Sequence, residues 1–99
     1  MGEKVSILTE NKALARKLFH SLKEASFEVQ ILSAAPKFWH RAQRFMSSLL
    51  VVDLDSMGSQ PIHQCRRLRM LSSAQILVIR QGQDEEELLE AFAAGVDDC

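Results

Sequence analysis

The chain is predicted to be a single α/β domain built on a doubly wound parallel sheet, and three observations carry that prediction. Strand-like and helix-like patterns alternate strictly along 99 residues, which is the signature of parallel strands joined by crossover helices. The connections between them are short and carry Asn, Pro, Ser and Gly. The third strand, Leu49-Leu50-Val51-Val52-Asp53-Leu54-Asp55, is a continuous apolar run ending on a carboxylate. Such a run fits a strand covered on both faces.

The elements follow in order. Lys4–Thr9 reads as a first strand, with Val5, Ile7 and Leu8 as its apolar content. Asn11 is placed to cap a helix from Lys12 to about Ala25. Leu14, Leu18 and Leu22 recur every fourth residue beside Ala15 and Phe19, giving one core-facing stripe. Phe27, Val29 and Ile31 alternate with Glu28 and Gln30, as in a half-buried strand near a sheet edge. Pro36 suits the first turn of a second helix reaching about Met46, with Phe38, Ala42, Phe45 and Met46 facing inward. Ser47 and Ser48 break it before the third strand. Pro61 opens a third helix with Ile62, Cys65, Leu68 and Leu71 at helical spacing, and Gln75–Ile79 is a fourth apolar strand. Asp84–Glu87 opens a last helix with carboxylates at its positive end, and Gly95 ends it. A fifth strand is expected to start at Val96. The chain stops at Cys99, so the expectation is one domain over residues 1–99, incomplete at its C-terminal end.

Composition narrows the function classes. A formal net charge of −1 gives no electrostatic reason for this domain to bind nucleic acid or a membrane directly. No apolar stretch approaches the roughly 20 residues of a membrane span, and no secretory signal is visible before the first strand. Cys65 and Cys99 lack the number and spacing of a disulfide scaffold, which suggests a reducing, cytoplasmic setting. In open α/β sheets, ligands gather beyond the carboxyl ends of the strands, which makes Asp53 a candidate site residue. Its simpler role is to cap the strand and start a turn.

The residues around these positions resemble the receiver domains of bacterial two-component response regulators. The resemblance covers essentially the whole chain. It is carried by a first strand ending in polar and acidic residues, by the Asp53 strand, and by Glu90-Ala-Phe-Ala-Ala-Gly-Val-Asp-Asp-Cys99, which is similar to the family's Ala-Gly-Ala-Asp-Asp-Tyr. The resemblance implies a flavodoxin-like (CheY-like) sheet of order 2-1-3-4-5, with the last strand and helix missing or incomplete here. It implies that Asp53 stands at the phosphoacceptor position. It further implies Mg²⁺ as cofactor, held by Glu10, Asp53 and the backbone carbonyl of Asp55, whose side chain need not matter. A hard divalent ion takes oxygen ligands and neutralises an incoming phosphoryl group.

The same alignment exposes departures. The family's acidic pair falls on Thr9 and Glu10, so one acid is replaced by a hydroxyl. The hydroxyl-bearing position at the end of the fourth strand is Arg80, whose guanidinium could form a bidentate pair with Asp53 or point to solvent. The switch aromatic is Cys99, and the loop proline after the phosphoacceptor is absent. Together, Thr9, Arg80 and Cys99 imply an atypical receiver acting through protein contacts or dimer state on an output domain, such as a DNA-binding one. The alternative is a conventional receiver phosphorylated on Asp53 with Mg²⁺. A free-standing flavodoxin-like enzyme is disfavoured, since no Gly-rich phosphate loop follows the first strand. The partners implied are a histidine kinase or other regulatory protein and, through Asp84, Glu85, Asp97 and Asp98, a second copy.

Other clusters read as ordinary surface or core. His63 and Cys65, two apart on a helix, point to different faces, and Arg66, Arg67 and Arg69 suit a solvated helix face. One of Phe38 and Trp39 is expected to be partly exposed, either as a contact aromatic between Lys37 and Arg41 or as the edge of the core.

Overall fold

The computed structural model describes residues 2–82 and 84–98. Strands β1 (Lys4–Leu8), β2 (Glu28–Leu32), β3 (Leu49–Asp53) and β4 (Gln75–Ile79) form one parallel sheet in the order β2-β1-β3-β4. Helix α1 (Lys12–Glu24) follows β1, α2 (Trp39–Arg44) follows β2, α3 (Pro61–Leu71) follows β3, and α4 (Glu85–Ala93) follows β4. The predicted α/β alternation and strand order hold. Asp98 adds a parallel bridge to Leu77, with the Val78 N–H donating to the Asp98 carbonyl at 3.0 Å. Residues 97 and 98 therefore stand beside β4, where the predicted fifth strand would begin.

The apolar residues divide between the two sheet faces by the two-residue period of each strand. Val5, Ile7 and Val51 point to one face, where Leu18 and Leu22 of α1 pack against them. Leu8, Leu50, Val52, Ile76 and Val78 point to the other, beneath Trp39 and Ala42 of α2, Cys65 and Leu68 of α3, and Ala91 of α4. Helices thus lie on both faces, burying the apolar run of β3 between them, while Leu77 and Ile79 of β4 are only half-buried on the α1 face.

The end signals behave as their chemistry dictates. The Asn11 side chain accepts the Leu14 N–H at 3.1 Å, and Asp84 Oδ1 accepts the Glu86 N–H at 3.0 Å. Gly95 has φ +107° and closes α4: its N–H reaches the Phe92 carbonyl, while the Val96 N–H reaches the Ala91 carbonyl. Those two bonds are the Schellman arrangement. A Cβ on Gly95 would also lie 2.4 Å from Cγ of Arg69, so side-chain packing and backbone both favour glycine there.

Three local expectations are corrected. β2 begins one residue late, because the Phe27 N–H is used to close α1 on the Leu22 carbonyl at 3.0 Å. The second helix is shorter than Pro36–Met46: a 3₁₀ turn at Pro36–Phe38 leads into α2, which stops at Arg44. Met46 has φ +59° and is 77% exposed, not inward-facing, because its N–H turns back to the Gln43 carbonyl to end the helix. Leu71, at the last turn of α3, is likewise exposed. Trp39 is the aromatic that enters the core. Phe38 stays half-buried under the Lys37 ammonium and Arg41 guanidinium, each about 5 Å from its ring centre.

Candidate functional site

Asp53 ends the central strand β3 and is 5% exposed. β1 and β3 run in register from Val5 opposite Leu49 to Leu8 opposite Val52, so Thr9 continues in step with Asp53. Both side chains share the sheet face of Val5, Ile7 and Val51. Thr9 Oγ1 accepts the Asn11 N–H at 3.0 Å and is thereby left to donate its proton to Asp53 Oδ2 at 2.7 Å. Ser56 Oγ repeats the arrangement from the other side. It accepts the Glu10 N–H at 2.9 Å and donates to the same Oδ2 at 2.8 Å. Oδ1 accepts the Asp55 N–H at 3.2 Å. A buried carboxylate is thus satisfied by two hydroxyls and an amide, and the network ties the loop after β1 to the turn after β3.

The two neighbouring carboxylates are engaged elsewhere. Glu10 Oε1 accepts the Ala34 N–H at 2.8 Å and the Ser33 hydroxyl, which holds the loop after β1 to the end of β2. An Asp55 carboxylate oxygen accepts the Gln81 N–H at 3.2 Å. Its side chain, expected to be idle, therefore anchors the loop after β4. Glu10, Asp53 and Asp55 all border one open hollow of about 500 Å³ with Asn11, Ser56 and Gln81. The hollow lies at the carboxyl ends of β1, β3 and β4.

No protein-family model and no curated relative matches the chain. The likeness lies in structure. The chain superposes with a TM-score of 0.87 on a response regulator from Thermotoga maritima, 18% identical, covering 99% of this chain and 82% of that one. It superposes at 0.86 on the chemotaxis protein CheY4 of Vibrio cholerae, 19% identical, covering 99% and 84%. A response regulator from Burkholderia pseudomallei, solved with a phosphorylated aspartic acid and a calcium ion, gives 0.84 at 18% identity over 97% of this chain and 57% of that one. The fold is that of the response-regulator receiver domains.

On the receiver fold, the predicted site residues separate into three groups. Thr9, Asp53 and the Asp55 backbone come together with Ser56, which sequence reasoning missed; its signal was a hydroxyl three residues after Asp53, positioned to bond back to the strand end. Glu10 borders the same hollow but is turned to Ser33 and Ala34. Arg80 is set apart. Ile76, Val78 and Arg80 alternate with Leu77 and Ile79, so Arg80 leaves the sheet on the face opposite Asp53. Its Nη1 lies 4.0 Å from Glu87 of α4, is buried, and has no hydrogen-bond partner among the described residues. Of the two readings left open for Arg80, a pair with Asp53 or a side chain in solvent, the structure takes neither: the guanidinium lies against Glu87 and holds α4 to the strand end. Cys99 lies outside the described residues.

The acids expected to form an interaction face are partly committed inside the domain. Asp84 caps α4. Asp97 accepts the Ile76 N–H at 2.8 Å and the Arg69 guanidinium at 3.1 Å. Arg69 also reaches the carbonyls of Ser72, Ala74 and Gly95, stapling the end of α3 to the segment after α4. Glu85 is exposed on α4, and the backbone of Asp98 pairs with β4.

The donor set does not fit a divalent cation. Thr9 places a hydroxyl, already donating, where an acid would be required, and Glu10 is turned to β2. No group of three His, Cys, Asp or Glu side chains comes together as a cation site among the described residues.

Proposed function

We propose that this chain is an atypical receiver module of two-component signalling, which works through protein contacts and not through aspartyl phosphorylation. The observation that supports it most is the state of Asp53. Its Oδ2 accepts hydrogen bonds from the hydroxyls of both Thr9 and Ser56. An Asp53 carboxylate that accepts three hydrogen bonds, two on Oδ2 and one on Oδ1, is a weakened nucleophile, because each bond draws on lone pairs that attack would use. The partner class is a histidine kinase or other cytoplasmic regulatory protein, and the regulated unit is an output domain such as a DNA-binding one. In this reading, the carboxylate joins the strand ends into a fixed platform. Glu10, Asp55 and Ser56 extend the platform to the loops after β2 and β4, and Arg80 fixes α4 through Glu87.

Amide NMR spectra recorded with excess Mg²⁺ and beryllofluoride test this reading. Thr9, Glu10, Asp53 and Asp55 are expected to keep their resonances, with no saturable change. Saturable shifts at those residues that vanish in Asp53→Asn would establish the conventional receiver chemistry.

A further inference from the structure

Two surfaces carry complementary charge around apolar centres. The first is a groove between α1 and the outer strand β2, about 400 Å³, lined by Lys12, Ala15, Arg16, Phe19 and Ile31. Its floor is apolar, with Ile31 44% exposed on the outermost strand, and its rim carries two cations. The second is the outward side of α4. Leu89 is 68% exposed and Phe92 43% exposed, one turn apart. Glu85 and Glu86 lie one turn before Leu89 and Glu90 lies beside it, all three exposed. Exposed apolar residues ringed by charge are the anatomy of a contact surface.

Neither surface satisfies its own charge. Among the described residues, the ion pairs are Arg69–Asp97 and Arg80–Glu87, so Lys12, Arg16, Glu85, Glu86 and Glu90 have none. Lys12–Arg16 and Glu86–Glu90 are like-charge pairs four residues apart, an arrangement that mildly disfavours each helix. Helix α4 contains four glutamates and no basic residue. The dimensions agree as well. Nine helical residues span about 14 Å, and Lys12 to Phe19 span about 10 Å along α1.

We infer that the α1–β2 groove of one copy receives the α4 surface of a second copy, Leu89 and Phe92 entering between Lys12 and Arg16 and the glutamates pairing with those cations. α1 and α4 pack on opposite faces of the sheet, so the contact is head-to-tail and joins two different surfaces. A single helix in a shallow groove buries little area, which makes the association weak and reversible. The groove shares Lys12, Ala15 and Ile31 with a neighbouring hollow that reaches Thr9 and Glu10. A docked copy therefore abuts the loop that is hydrogen-bonded to Asp53. The contact itself does not depend on the chemistry of Asp53.

Sedimentation velocity on the 99-residue chain tests the contact, across protein concentrations from about 10 µM to 1 mM. At low salt, the weight-average sedimentation coefficient is expected to rise with concentration, and about 0.5 M salt is expected to return it to the monomer value. Arg16→Glu and the double variant Glu86→Lys/Glu90→Lys alter exposed positions and should keep the circular dichroism of the parent. Each alone is expected to sediment as a monomer, whereas their equimolar mixture associates again because opposite charges then face each other. A monomer throughout at low salt, variants that associate as the parent does, or a mixture that stays monomeric would each overturn the inference. The first of those results would leave the groove to a different protein.

Discussion

Chemical denaturation followed by far-ultraviolet circular dichroism is expected to place Trp39→Ala about 3–5 kcal/mol below the parent chain. Trp39 is 2% exposed and sits among Ala34, Ala42, Leu50 and Leu68 on the α2–α4 side of the sheet. Its Nε1–H donates to the Ala34 carbonyl at 3.1 Å, and the Arg67 guanidinium lies 5.5 Å from the ring centre. Truncation removes the largest side chain of that layer, opens a cavity, and leaves a buried carbonyl without its donor. The surrounding alanines are too small to close the gap. Domains of this size have only about 5–15 kcal/mol of stability in total, so the loss is a large fraction of it. Trp39→Phe keeps most of the volume and is expected to lose about 1–2 kcal/mol, chiefly the hydrogen bond. A loss below about 1 kcal/mol for Trp39→Ala would instead place this residue at a peripheral contact surface.

The second large effect concerns Asp53 and Thr9. Asp53→Ala leaves the Thr9 and Ser56 hydroxyls and the Asp55 N–H without their acceptor. It is expected to lower stability by about 1–3 kcal/mol. A site built from clustered acids behaves in the opposite sense, because deleting one carboxylate relieves repulsion. The sign of the change therefore separates the two kinds of site. Thr9→Asp makes the same point from the partner side. It replaces a donor 2.7 Å from Oδ2 with a second carboxylate, and the expected result is a lowered melting temperature that Mg²⁺ raises again. Ligand binding to the folded state alone stabilises by mass action. The parent chain, with Thr9 in place, is expected to show no such response to Mg²⁺. Thermal melts of the three proteins with and without Mg²⁺ check both statements, and an Asp53→Ala variant more stable than the parent would contradict the account.

Much of this fold was legible in the chain because its signals are local. The unbroken apolar run of Leu49–Val52 can only be accommodated between two helical layers, and that placed Asp53 at the functional edge of the sheet. Asn11, Asp84 and Gly95 mark helix ends by chemistry that acts within one turn. The second helix is shorter than its pattern because that signal, too, is local. Its apolar spacing continues to Met46, but a 3₁₀ start and a left-handed residue at Met46 leave room for only Trp39–Arg44 as α-helix.

The site was harder to read, since the two bonds that join the loop after β1 to the turn after β3 link residues more than 40 positions apart. Thr9 and Asp53 were found as separate motif positions, but that one donates to the other follows from the β1–β3 register. The role of Ser56 depends on the turn that brings it back to Asp53, and the role of Asp55 depends on the loop after β4. Arg80 is instructive, because the chain alone leaves a pair with Asp53 and a solvent-facing side chain both open. The β3–β4 register, which sets Asp53 opposite Ile79, puts Arg80 one residue on and on the face away from Asp53. An alignment position suggested proximity, whereas strand parity decided direction.

Intact-mass spectrometry after incubation with Mg²⁺ and acetyl phosphate tests the central claim most directly. The chain is expected to keep its unmodified mass, because Asp53 is held by Thr9 and Ser56 and no cluster of three cation-ligating side chains stands beside it among the described residues. A stoichiometric gain of one phosphoryl group, absent from Asp53→Asn, would contradict it.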